Sequence, residues 1–318
     1  SCGLNSAKPN WTRPLRPIKG GSAASDGRAN NWLPVIPIRL NPVMLKARVI
    51  TALLLLGGLL AAVFLLPAVG WLAFVSVICA AAAAEWGGIA GFSVTRRRIY
   101  ALLLGLLCMA GGLVAGLHRN DAVAPFSLVP VYAVSALFWL LCVPFWLRAR
   151  WAMPGAGAAS IVGLVLLLPP SLAMAHLRLL SPWLLLGVMA AVWVADIAAY
   201  FTGRAFGRRK LAPSISPGKS WEGAYGAAVG VVIYGFICFS YVGHAMADVG
   251  SVVFAAAALV AFTAVSIMGD LFESMLKRQA GVKDSGTLLP GHGGILDRID
   301  SLTSTLPLAG LLALWFAR

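Results

Sequence analysis

The sequence predicts an all-α, polytopic integral membrane protein with about nine transmembrane helices. Three observations carry that prediction. Residues of the AVILMFWYC set make up 60% of the 318 and charged residues only 11%, against about 25% charged in ordinary soluble domains. With a mean hydropathy of +0.86, the chain needs lipid as its solvent. The apolar residues fall in uncharged runs near the ~20 residues that cross a hydrocarbon core as a helix, the structure that satisfies its own backbone in lipid. Finally, the runs do not alternate, as the short strands of a membrane barrel would. The same composition excludes disorder over most of the length. Five cysteines form no CxxC pair and four of them lie in apolar runs, which excludes a disulfide scaffold or zinc ribbon and leaves small residues for helix packing.

Residues 1–43 stand apart. They are rich in Pro, Gly, Ser and Asn, with neither apolar periodicity nor a signal-peptide core, and are expected to form a disordered tail or an upstream extension. Met44-Leu-Lys-Ala-Arg would be a natural beginning, so residues 44–318 are expected to form one membrane-embedded domain. Its first uncharged run, 49–84, is long enough for two helices, with Pro67 and Gly70 turning the chain between them. Further spans are predicted over 99–117, 122–147, 151–175, 179–195, 223–243, 249–269 and 301–317.

The net charge of +14 would suggest nucleic acid until the charges are placed. With the start of the first helix inside, the inner segments hold Lys46 and Arg48; Arg96, Arg97 and Arg98; Arg148 and Arg150; Arg204, Arg208, Arg209, Lys210 and Lys219; and Lys277, Arg278, Lys283 and Arg298. The outer side receives only Arg119, Arg178 and Arg318. This is the positive-inside bias beside anionic lipid, and it supports nine spans with an external C-terminus. No basic stripe interleaves with aromatics, so nucleic acid is rejected as a partner.

Eight of the eleven acidic residues fall at or near the inner helix ends or in the loops joining them: Glu85, Asp196, Glu222, Asp270, Glu273, Asp284, Asp297 and Asp300. Acids beside a membrane are costly unless paired or metal-bound; for Glu85, pairing that anchors a helix end is the favoured reading. Asp270, Glu273, Ser274 and Lys277 share one helical face by their i, i+3, i+4, i+7 spacing, and Asp297 and Asp300 share another. A loop returns the chain between them, so Asp270 and Asp297 are expected to face each other across a helical hairpin as a hard oxygen site suited to Mg²⁺. Gly291, Gly293 and Gly294 let backbone amides approach an anion, and Lys277, Arg278, Lys283 and Arg298 offer cationic donors for phosphate. These residue types fit a metal–polyphosphate complex, with an ion pathway as the other reading.

A second polar stretch begins at Asp196, which either joins the metal site or pairs with Arg204. In the following segment Gly218-Lys219-Ser220 is not a P-loop, because Pro213 stands where its first glycine would be. Ser214, Ser216, Lys219 and Ser220 remain candidates for phosphate contact. The other reading is a positive-inside loop with Glu222 capping or pairing. His118, His176 and His244 are expected to be interfacial, whereas His292 lies inside the glycine turn between the carboxylates.

From Ser274 onward the chain resembles the CDP-diacylglycerol synthase (phosphatidate cytidylyltransferase) family. That family's pattern Ser-x2-Lys-Arg-x4-Lys-Asp-x5-Pro-x-His-Gly-Gly-x2-Asp-Arg-x-Asp is filled here by Ser274, Lys277, Arg278, Lys283, Asp284, Pro290, His292, Gly293, Gly294, Asp297, Arg298 and Asp300. Ser216-Pro-Gly-Lys-Ser-Trp-Glu-Gly223 and the Asp196 segment are also similar to the family, in a layout that runs from about Met44 to the C-terminus. The resemblance implies the reaction CTP + phosphatidate → CDP-diacylglycerol + pyrophosphate, for phospholipid synthesis, at the cytoplasmic face of a bacterial-type inner membrane. It implies Mg²⁺, with room for a second cation. It makes Asp270 and Asp297 the principal metal ligands, with Asp300 and Asp284 as further candidates. With the residue types above, Asp270, Asp297, Lys277 and Arg298 are the expected catalytic residues. Ser216, Lys219, Ser220, Arg278, Lys283, Asp284, His292, Gly293 and Gly294 are expected to bind substrate, and the active site is expected within 196–300. The expected partners are CTP, phosphatidate and membrane lipids, and a homodimer, the oligomeric state being open.

A phosphate monoester is largely ionised at neutral pH, with a second pKa of about 6, so the nucleophile needs no strong base. The obstacle is repulsion between two anions, which metal ions and basic side chains relieve. The carboxylates are accordingly expected to bind metal rather than abstract protons. A CTP-dependent lipid-alcohol kinase would instead release CDP, and a CDP-alcohol phosphotransferase would need an Asp-Gly-x2-Ala-Arg pattern that is absent. A cation-coupled transporter using Asp196, Asp270 and Asp297 would need polar residues through the midplane or paired repeats, and no convincing repeat is present.

Overall fold

The computed structural model describes residues 42–119, 125–153, 155–241, 249–289 and 293–316. The reading of residues 1–43 as a tail lies outside them, except that the first helix has already begun at Pro42. Among the described residues nine helices follow in order: α1 (Pro42–Leu65), α2 (Ala68–Ile89), α3 (Val94–Val114), α4 (Phe126–Ala149), α5 (Ala156–Leu180), α6 (Pro182–Phe206), α7 (Trp221–Tyr241), α8 (Val249–Gln279) and α9 (Leu296–Phe316). The eight from α2 to α9 are long and apolar enough to span a membrane.

Local chemistry sets the helix ends. Pro67 stands immediately before α2, where its missing N–H leaves no hydrogen bond unmade. Ser93 caps α3, its hydroxyl accepting from the Arg96 N–H at 3.3 Å. Within α4 a π turn over Phe138–Cys142 precedes Pro144; a proline that cannot donate to the preceding turn shifts the ladder there. Two helices outrun the apolar stretches that predict them. α6 passes Asp196 and continues to Phe206, and α8 passes Gly269 and continues to Gln279. Charge ends an apolar run without ending a helix. These extensions keep helical spacing while presenting polar side chains to polar partners.

Between α6 and α7 the chain forms a small antiparallel hairpin, β1 (Lys210–Ala212) with β2 (Ser216–Ser220), pairing Lys210 with Ser220 and Ala212 with Ser216. The sequence suggests only a loop here, because Pro213, Pro217 and Gly218 punctuate it.

The bundle is organised around α2, α5 and α9: half or more of the most apolar 18-residue stretch of each is buried, against 22% of that stretch in α3, α7 or α8. α9 packs against α4, α5 and α8, and α2 packs against α3 and α5. Trp71, Leu72, Trp86, Trp139, Phe272 and Leu276 fill this core. α6 and α7 form a second, close pair. Gly223, Gly226 and Gly230 line it: a Cβ on Gly223 would stand 2.9 Å from the Ala199 carbonyl oxygen, and one on Gly230 2.9 Å from the Ala198 Cβ. Such small-residue seams let helices approach in lipid, where no hydrophobic force drives them together.

Candidate active site

The inner ends of α6, α8 and α9, with β2, converge on a group of charged side chains. At its buried side, Lys277 of α8 stands between two acids. Its Nζ lies 3.0 Å from Glu273 Oε1, one turn back on the same helix, and donates to Asp297 Oδ1 of α9 at 2.6 Å. The three side chains are 11%, 4% and 7% exposed, so their charges are shielded from water and depend on one another. Asp297 has further partners. Its carboxylate accepts the Ser285 N–H at 2.9 Å and the Gly294 N–H at 2.8 Å, and so ties Ser285 and Gly294 to the first turn of α9.

The second group is more open. Lys219 of β2 ion-pairs with Asp270 Oδ2 of α8, both side chains about one-quarter exposed. Ser274 Oγ donates to Asp270 Oδ1 at 3.1 Å, as the shared helical face predicts. Asp196 of α6 and Asp300 of α9 lie within electrostatic reach of Asp270 and Lys219, and Asp300 links this group to Glu273. The alternative partner for Asp196 is engaged elsewhere: Arg204 donates to Tyr200 Oη at 2.9 Å. At full ionisation Asp196, Asp270, Glu273, Asp297 and Asp300 carry five negative charges, and Lys219 and Lys277 two positive ones.

Asp270 and Asp297, predicted to face each other, each hold a different lysine. Among the other predicted site residues, Ser220 is buried and its Oγ accepts the Gly223 N–H at 3.2 Å, capping α7. The Gly294 N–H is spent on Asp297. Gly293 adopts φ +80°, and a Cβ there would come within 2.6 Å of Asp297 Oδ2, so both its conformation and its neighbour require glycine. Ser216 opens β2 and is half-buried; Arg278, Lys283, Asp284 and Arg298 are exposed around the rim. His292 lies outside the described residues. Glu222 takes the pairing role, accepting the Arg208 and Arg209 N–H groups at 3.1 and 3.2 Å and so fixing the turn into the hairpin.

One residue gains a place that spacing could not show. Glu85, near the end of α2, accepts hydrogen bonds from Ser285 Oγ and from the Ile295 and Leu296 N–H groups. The sequence signal was an isolated acid closing an alanine run; its partners lie some 200 residues away.

Asp196, Asp270 and Asp300 supply only hard carboxylate oxygens, and the Lys219 ammonium already occupies a cation's position against Asp270. That donor set suits a hard divalent ion. Among the described residues no three acids are drawn together into a finished metal cage. Carboxylates for metal, lysines for phosphate and an exposed basic rim together suit chemistry between phosphate groups.

Comparisons with known proteins bear on that reading. Residues 46–316 match the Cytidylyltransferase family. The chain is 43% identical over 287 residues to a phosphatidate cytidylyltransferase of Pseudomonas aeruginosa, covering 86% of this chain and 98% of that protein. It is 34% identical over 278 residues to one from Haemophilus influenzae (83% and 96%), and 37% identical over 278 residues to one from Brucella suis (86% and 94%). The long apolar helices and bacterial relatives make it a multi-pass protein of the bacterial inner membrane. With this match over most of its length, the chain belongs to the phosphatidate cytidylyltransferase (CDP-diacylglycerol synthase) family.

Proposed function

We propose that the basin formed by α6, β2, α8 and α9 transfers the cytidylyl group of CTP to phosphatidate. The observation that carries this reading is the Lys219–Asp270 ion pair with Asp196 and Asp300 in electrostatic reach: a cation paired to one carboxylate, influenced by two more, in a region with exposed basic residues. A phosphate oxygen of phosphatidate attacks the α-phosphorus of CTP. The new P–O bond joins the lipid phosphate to CMP, the bond from the α-phosphorus to the bridging oxygen breaks, and pyrophosphate leaves. The attacking oxygen is already ionised, so no side chain needs to remove a proton.

Asp270 and Asp300, with Asp196 beside them, would hold a divalent cation, Mg²⁺ by the hardness of the donors. Asp297, now paired with Lys277, would be a further ligand to that cation. When bound, the metal would neutralise phosphate oxygens and so relieve the repulsion between the substrates. Lys219 and Lys277, which now neutralise the carboxylates, would supply cationic donors for phosphate charge. Arg278, Lys283 and Arg298 extend the positive rim towards the triphosphate. The acyl chains remain in the bilayer beside the helices while the headgroup enters from the inner leaflet. The void bounded by Val75, Met174, Leu302 and Leu306 is mainly apolar, which does not favour an ion path through the bundle.

The test incubates purified protein with α-labelled CTP, Mg²⁺ and phosphatidate. Label entering the lipid phase with equimolar pyrophosphate supports this reaction. Release of labelled CDP would support the lipid-alcohol kinase instead.

A further inference from the structure

Glu85 takes no part in the chemistry proposed above, yet among the described residues its side chain accepts three hydrogen bonds from Ser285 and the start of α9. Its side chain is buried, the residue being 3% exposed. Oε1 accepts the Ile295 N–H at 3.0 Å; Oε2 accepts the Leu296 N–H at 2.8 Å and Ser285 Oγ at 2.8 Å. Ile295 and Leu296 bring two of the N–H groups that a helix N-terminus leaves without intrahelical partners, and a carboxylate there also meets the positive end of the helix dipole. Asp297 grips the same two places from the other side, through the Ser285 and Gly294 N–H groups. Gly286 closes the fit, since a Cβ on it would stand 2.6 Å from Glu85 Oε1.

We infer that Glu85 is a positioning residue for the cytidylyl transfer: from α2 it clasps Ser285 and the start of α9 at Ile295 and Leu296 to the core and thereby sets Asp297 and Asp300 relative to Asp270. This rests on the reading that those aspartates line the reaction basin. Glu85 touches neither substrate nor metal. Its effect passes through α9, whose first two turns hold both acids. A carboxylate partnered by three donors and shielded from water resists rearrangement, because any slip leaves a buried charge or buried N–H groups unpaired.

The test uses the full-length protein in detergent with two readouts. The first is amide hydrogen exchange of the metal-free protein at Ser285 and residues 294–297. The second is the Mg²⁺ concentration giving half-maximal turnover. Glu85→Gln keeps the side chain's shape but turns one oxygen into a donor facing donors. Exchange at 285 and 294–297 should rise at least about tenfold, and the half-activating Mg²⁺ concentration by about 10–100-fold, the range seen when partners of metal ligands are lost. The melting midpoint and exchange in the α6–α7 pair should stay near wild type. If Glu85→Gln does not fold, Ser285→Ala, which removes one of the three hydrogen bonds, should move both readouts in the same direction by less. A folded variant with unchanged exchange and Mg²⁺ requirement would overturn the inference, as would lower activity that merely tracks folded protein at a normal Mg²⁺ requirement. Asp270→Asn is assayed alongside. If it stays active, the basin reading falls and this inference with it; if it is inactive while Glu85→Gln behaves as wild type, only the inference falls.

Discussion

Lys277 on α8 and Asp297 on α9 meet at 2.6 Å with both side chains largely buried, and this pair joins the two helices that carry Asp270, Glu273, Asp297 and Asp300. Lys277 also serves Glu273 at 3.0 Å. Replacing it with Met leaves two buried acids without their cation. The expected loss is about 3–5 kcal/mol of stability, the usual cost of breaking a buried pair from one side, together with loss of turnover. Thermal melting in detergent checks the first and label transfer the second. Adding Glu273→Leu and Asp297→Asn to Lys277→Met should recover much of the stability and none of the activity.

Lys219 is the contrasting case. Its pair with Asp270 is about one-quarter exposed on each side, so Lys219→Met should change stability by no more than about 1 kcal/mol. Turnover should fall by about 10²–10³-fold, as when one donor to developing charge is removed. Parallel melting curves and single-turnover rates separate the two effects. A large fall in melting temperature would instead mark Lys219 as structural.

Gly293 combines φ +80° with direct contact between its missing side chain and Asp297. Gly293→Ala should cost about 1–2 kcal/mol from the left-handed backbone alone. Because the added methyl presses on Asp297 Oδ2, turnover should fall by more than the stability loss accounts for. Comparison of specific activity per folded molecule at a temperature well below melting checks this.

Gly226→Val probes packing away from the site. A side chain there would enter the space of Thr202 on α6, and overpacking of this kind typically costs about 1–3 kcal/mol. Activity per folded molecule should stay near wild type, because neither Gly226 nor Thr202 is among the basin's side chains. A selective loss of catalysis at unchanged melting temperature would contradict that assignment.

The spans were legible because lipid imposes a simple rule: uncharged runs of sufficient length become helices, and basic residues mark the inner side. The turn at Pro67 was legible for the same local reason. The rule failed where charge entered a helix, so α6 and α8 run on past Asp196 and Gly269. The shared face of Asp270, Ser274 and Lys277 followed from helical periodicity alone. Pairing across elements did not. Spacing places Asp297 opposite Asp270, but the loop N–H groups of Ser285 and Gly294 and the Lys277 ammonium hold it, and no periodicity encodes a loop's return path. Glu85 shows the same limit: its partners are distant in sequence, and only the packing of α2 against the start of α9 brings them together.

The most direct test of the central claim, that inner-end aspartates hold a divalent cation for reaction between two phosphates, is Mn²⁺ binding followed by electron paramagnetic resonance, with the full-length protein and CTP present. Wild type should bind the ion at the basin, and Asp270→Asn and Asp300→Asn should each weaken that binding at least about tenfold in a protein that still melts cooperatively. Unchanged Mn²⁺ affinity in both variants would contradict the account.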